Sequence, residues 1–498
     1  MLFNSLDFLL FFPIVTMVYF LLSDKVKYLW LLVTSYYFYM CWNAKYALLI
    51  LLSTVITYAG GLFLEQVKQA DYGNDRKAYY KKWIVGFSFG LNLAILFFFK
   101  YYNFAADIVD DILGLVGIRM KLPAVDVMLP VGISFYTFQA LSYTMDVYRD
   151  EIYAEKNFFR YALFVSFFPQ LVAGPIERSG NLLKQLAVPK KFNAEKAREG
   201  LLLMLWGFFL KIVLADRLAI FVDTVYGNVG EFPGWYLVVA TVLFAVQIYC
   251  DFAGYSIIAM GSAKILGIDL MENFDAPYLA TSVSEFWRRW HISLTSWFKD
   301  YLYIPLGGSR KGMCRKYLNK ILVFLVSGLW HGASLSFVVW GGLNGVYQVV
   351  GEITKPIRDK AAMKMRLNQN SMGHRLLQRL VTFFLIDFSW IFFRASSLEH
   401  AVVVIRSILS ASNPWVLFDG SLYQCGLDSK NFMVMLTAIC VLLFADCCKT
   451  RGFSIRNLIA EQDDWFRCLF IAASVCGLLL FGLWGPAFDQ ANFIYFQF

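Results

Sequence analysis

Two histidines stand where an imidazole is hard to keep without a reason. His331 lies in Leu329-Trp330-His331-Gly332-Ala333-Ser334, inside an otherwise apolar stretch from Ile321 to Val350, and the whole chain has only 4 histidines. A neutral imidazole accepts or gives a proton near physiological pH, so it suits a general base. An ionisable side chain at membrane depth is a functional hypothesis by default. His291 sits in Ser284–Pro305, which interleaves Trp287, Trp290 and Trp297 with Arg288, Arg289 and Lys299. Two readings of that segment stand: an amphipathic helix whose cations meet lipid headgroups, or a rim whose cations meet the phosphates of a nucleotide-like donor. Asp251 interrupts the apolar run Gln247–Ser256. Its carboxylate suits either the orienting of an imidazole or a structural ion pair with Lys211 or Arg288. Asp146, Glu177, Lys211 and Asp387 raise the same question.

The elements around His331 follow from length and charge. Thirty residues, 321–350, are too many for one upright crossing and few for two. Gly328, Gly332, Gly341 and Gly342 are natural breaks. The basic segments 309–320 and 355–379 flank the stretch and read as cytoplasmic. Two short helices meeting inside the membrane satisfy both facts and place His331 roughly 16 Å deep. Broken backbone at that depth belongs in protein or beside a cavity.

The chain at large is 59% hydrophobic and 16% charged, apolar beyond an average soluble domain. Candidate spans at about 8–22, 27–43, 45–64, 83–100, 126–147, 159–174, 200–222, 235–250, 254–267, 381–393, 431–446 and 467–486 predict an all-α polytopic membrane protein. Roughly 11–13 membrane helices are expected, some re-entrant or broken. Residues 1–7 carry no basic n-region, so 8–22 reads as a retained helix. The net charge of +9 sits in short clusters between apolar runs, which fits cytoplasmic loops and not nucleic acid. The acidic segment around Asp107, Asp110 and Asp111, the loop 396–430 and the tail 487–498 read as extracytoplasmic. The basic segment 176–199 breaks the alternation. The repair is that 159–174 does not cross fully, because Phe168-Pro169-Gln170 and Gly174-Pro175 break it. The 9 cysteines show no zinc spacing. No Walker A run, G-x-S-x-G or H-E-x-x-H occurs, and no metal is expected.

Ser284–Gly308, Gln247–Ser256, Val172-Ala173-Gly174-Pro175-Ile176-Glu177-Arg178, Gly328–Gly332, Leu129–Phe138 and Phe392-Phe393-Arg394-Ala395 together resemble the membrane-bound O-acyltransferase family, in particular its branch that acetylates bacterial polysaccharides. The resemblance implies one helical domain over 1–498, with core motifs at about 125–395, a C-terminal extension over about 396–498, and a funnel through the bundle. It makes His331 the central catalytic histidine and His291 the second. Arg288, Arg289, Trp290, Lys299 and Trp330 are expected at the donor, with Asp251, Glu177, Arg178 and Ser334 in support. It further implies acetyl-CoA as donor with no bound cofactor. The acceptor is a polysaccharide outside a bacterial inner membrane, such as alginate, cellulose or peptidoglycan, reached through a secreted or membrane-anchored esterase-like partner. His331 would be a general base or a transient acetyl carrier; the sequence keeps both. A related branch moves D-alanine from a carrier protein to teichoic acid, but its members are shorter. A transporter or flippase would share the buried charges, yet no inverted repeat appears.

Overall fold

The computed structural model describes residues 1–118, 121–126, 128–172 and 174–484. Among them the regular structure is helical, with no strand. Among the described residues six helices are long and apolar enough to cross a membrane: Ala44–Gln69, Asn74–Leu115, Trp235–Ile265, Met372–Arg394, Ser429–Thr450 and Asp464–Phe481. The apolar Leu6–Leu21 is shorter. The molecule is an all-α polytopic membrane protein. The tail 487–498 and Ala173 lie outside the described residues.

Three expected boundaries change. The spans at 235–250 and 254–267 are one helix, Trp235–Ile265. A Cβ on Gly254 would lie 2.9 Å from the Gly207 carbonyl oxygen, so the glycine serves close helix contact. The acidic segment 107–111 is helical, within Tyr102–Leu115, continued from Asn74–Leu96 through the π-turn Phe97–Tyr101. The basic flanks of 321–350 are largely helical too. One helix begins at Met313 and the next runs to Lys364. Lys and Arg are good helix formers, so charge marks depth and not helix ends. The break at 159–174 does occur: Phe158–Ser166 stops, and a single turn, Phe168–Leu171, carries Pro169.

The chain divides into two compact units. The first is Met1–Met204 with Ile258–Met271. Its interior holds Phe38 in ring contact with both Phe8 and Phe168 and Tyr161, whose hydroxyl donates to Thr57 at 2.7 Å. The second is Leu205–Ile257 with Glu272–Phe498, and it contains both histidines of interest. At its centre the helices Met313–His331 and Leu335–Lys364 form a hairpin against Met372–Arg394.

Candidate active site

The hairpin is built on glycine. A Cβ on Gly328 would fall 2.2 Å from the Phe337 carbonyl oxygen, and one on Gly341 2.2 Å from that of Phe324. The two backbones therefore touch, as in small-residue helix crossings of membrane proteins. At the far end Lys316 and Lys320 of the first helix both donate to Glu352 of the second. The basic ends of the stretch thus meet, as its length and charge required. His331 is the last residue of the first helix and Gly332 its C-cap. Ser334 starts the second helix, its hydroxyl accepting from the Ser336 N–H at 3.3 Å.

His331 is buried and walled by aromatic rings. Its ring centroid lies 4.9 Å from Trp330, 5.1 Å from Trp340 and 5.4 Å from Phe393. His291 is 6.4 Å away. The wall is itself held by polar ties. Trp287 Nε1–H donates to Asn344 Oδ1 at 3.1 Å, and Asn344 Nδ2 donates to the Ser389 hydroxyl at 3.2 Å. Trp340 stacks on Trp390, whose indole N–H donates to Tyr278. Buried indoles and amides need such partners.

His291 lies between the helices Val283–Arg289 and Ile292–Phe298 with φ +44° and ψ +54°. A bulky residue in the left-handed region costs of order 1 kcal/mol or more and must be held by its surroundings. The holder is Asn273. Its Oδ1 accepts from the Ser293 N–H at 3.2 Å and the Ser293 hydroxyl at 2.9 Å, and lies 3.1 Å from His291 Nδ1. The Ser293 amide can only donate, so it fixes that Asn273 atom as the oxygen. His291 Nδ1 therefore carries a proton, and in the neutral ring the basic lone pair sits on Nε2. Phe252 meets the same ring edge-on at 4.6 Å.

The other expected site residues divide. Trp330 and Trp290 are buried within the aromatic cluster, Trp290 against Trp390 at 5.2 Å. Arg289 pairs with Glu285 at 2.7 Å, while Arg288 and Lys299 are exposed. Asp251 pairs with Lys211 at 2.6 Å, and Lys211 also pairs with Asp216 at 2.7 Å, all three deeply buried. Lys211 lies in the π-helical turn Phe209–Ala215, an irregularity common near functional sites. Glu177 and Arg178 belong to the first unit. Glu177 accepts from the Met271 N–H and from Asn181 Nδ2, and burial pushes its carboxyl above the usual range against those bonds. Arg178 is half-buried at the start of the helix Ser179–Leu186.

Asn273, Asn344, Ser389, Trp340 and Trp287 were not among the expected site residues. An asparagine 18 positions before a histidine carries no spacing signal, because an irregular loop sets the contact.

Residues 119–393 match the model of the membrane-bound O-acyltransferase family. The chain is 36% identical over 89% of its length to a "Probable alginate O-acetylase" of Pseudomonas putida, covering 87% of that protein. It is 31% identical over 100% of its length to a peptidoglycan O-acetyltransferase of Helicobacter pylori, covering 98%. A teichoic acid D-alanyltransferase of Bacillus subtilis is 26% identical over 54% of the chain and 70% of its own length.

Proposed function

Since the chain belongs to the membrane-bound O-acyltransferase family and is an acyltransferase of multi-pass membrane type, we propose that it moves acetyl from cytoplasmic acetyl-CoA to an extracytoplasmic polysaccharide. The substrates of the two relatives matched over most of their length support the acceptor class. The D-alanyl reading has the weaker support, because that relative aligns with only 54% of the chain. A bacterial inner membrane, and a secreted or membrane-anchored esterase-like protein that relays the acetyl group, complete the reading.

The observation that carries it is His331 at the tip of the hairpin, buried among indoles and 6.4 Å from His291. A hydroxyl bound between the rings lies within reach of both. His331 takes the hydroxyl proton as the oxygen attacks the thioester carbonyl; the C–S bond breaks and the thiolate leaves as coenzyme A. His291, with Nδ1 committed to Asn273, presents Nε2 to orient the hydroxyl. The aromatic wall excludes the water that would otherwise hydrolyse the thioester. Arg288, Arg289 and Lys299 are assigned to donor phosphates, with Trp290 and Trp330 beside the thioester arm. Asp251, Glu177, Arg178 and Ser334 hold the framework.

The test is His331→Ala in membranes at matched protein amount, with acetyl transfer from labelled acetyl-CoA as readout. Loss of at least 10³-fold is expected if the base is removed. Activity within about tenfold of wild type refutes the assignment.

A further inference from the structure

The first unit carries a partly open cavity of about 160 Å³ far along the chain from either histidine, where the apolar helix Leu6–Leu21 ends and Lys27–Met40 begins. Lys25, Lys27 and Arg160 line it against a single acid, Asp24, with Tyr19 and Tyr28 as aromatic walls. The cations are held in place. Lys27 is buried, donates to Asp24 at 2.7 Å and to the Lys190 carbonyl at 2.9 Å, and lies over the Tyr19 ring at 5.6 Å. Arg160 packs over the Tyr28 ring at 5.9 Å and pairs with Glu155 through Nη1, while its Nε is buried without a hydrogen-bond partner. A buried guanidinium N–H with nothing to donate to, in a cavity that two lysines also line, calls for an anion.

The two segments that line the cavity indicate where the anion comes from. Val188 lines it and is exposed, as are Leu21, Val26 and Phe192, which neighbour its lining residues along the chain, and these apolar residues alternate along the chain with Lys25, Lys190 and Lys191. Apolar side chains interleaved with lysines are what a lipid–water interface selects.

We propose that this cavity binds a phosphate-bearing headgroup, the phosphodiester of an anionic phospholipid, with Lys25, Lys27 and Arg160 around the phosphate. The acyl chains lie along Leu21, Val188 and Phe192. The site is separate from acyl transfer and does not depend on the function proposed above.

The test uses the full chain purified in detergent, with native mass spectrometry after incubation with equimolar phosphatidylglycerol and phosphatidylcholine, and a melting assay with inorganic phosphate. Variants are Lys25→Gln, at an exposed residue, and Lys25→Gln with Arg160→Gln. Retention of phosphatidylglycerol over phosphatidylcholine is expected, falling on the order of fivefold per cation removed. Stabilisation by inorganic phosphate that the double variant loses, without lipid retention, supports the phosphate site with a soluble source. Equal retention of both lipids by wild type and variants, with no phosphate effect, overturns the proposal. Lys25→Gln alone keeps the test valid if the double variant does not fold.

Discussion

Gly341→Ala is the smallest change that moves the candidate catalytic histidine without touching it. The added methyl would lie 2.2 Å from the Phe324 carbonyl oxygen. A close C···O approach across a helix interface is about 3.3 Å, so the two helices must part by roughly 1 Å. Phe324 and His331 belong to the same helix, and Gly328, the other half of the contact, lies one turn before His331. A displacement of about 1 Å at a reacting group costs on the order of 10²-fold in rate. Overpacking costs about 1–3 kcal/mol, and the helix preference of alanine over glycine offsets up to about 1 kcal/mol. The variant should therefore insert and fold yet transfer acetyl about 10²-fold more slowly. Gly342→Ala is the control, because its nearest neighbour would be Leu325 Cδ2 at 3.4 Å, an ordinary contact. Both are assayed in membranes with labelled acetyl-CoA at matched protein amount. Gly341→Ala within threefold of wild type, or Gly342→Ala falling equally, would refute the reasoning.

Other consequences are open to direct measurement. Asn273→Ala strips the acceptor from buried donors, at about 1–3 kcal/mol, and should slow transfer about 5- to 150-fold. Asn273→Asp keeps an acceptor and should retain more activity than the alanine, and the reverse order would remove Asn273 from its role. Lys211→Met leaves Asp216 and Asp251 buried without their shared cation, a loss of about 3–5 kcal/mol, read as lost expression. Adding Asp216→Asn and Asp251→Asn should restore part of it. Arg288→Gln and Lys299→Gln, at exposed positions, should raise the KM for acetyl-CoA while leaving kcat near wild type; an unchanged KM detaches them from the donor.

Much of this architecture is written in local chemistry. Gly328 and Gly341, the apolar length of 321–350 and its basic flanks predict a hairpin with its ends together, and the Lys316–Glu352 and Lys320–Glu352 bonds are that geometry. Pro169 predicts the broken helix near 168. Helix ends were less legible. Gly254 begins the second of two expected spans, 235–250 and 254–267, but a glycine facing a neighbouring backbone serves helix contact as well as a helix start, and only the partner, Gly207, decides. The charge of Arg288 suggests a donor contact, but charge alone does not say how exposed a residue of a short helix is, and Arg288 lies exposed while its neighbour Arg289 is half-buried. Asn273 was invisible because its value lies in a loop conformation and not in any spacing.

His331 also constrains the order in which the site comes into being. Trp330 and Trp340 are made beside it, but Phe393 closes the wall from a later helix, Met372–Arg394. Domains synthesised from the N-terminus gain their contacts in sequence. A ribosome that has finished only the hairpin has produced the imidazole without its shield. A nascent or prematurely terminated chain ending before Phe393 therefore exposes His331 without a closed pocket, so a stalled translation product is a silent one.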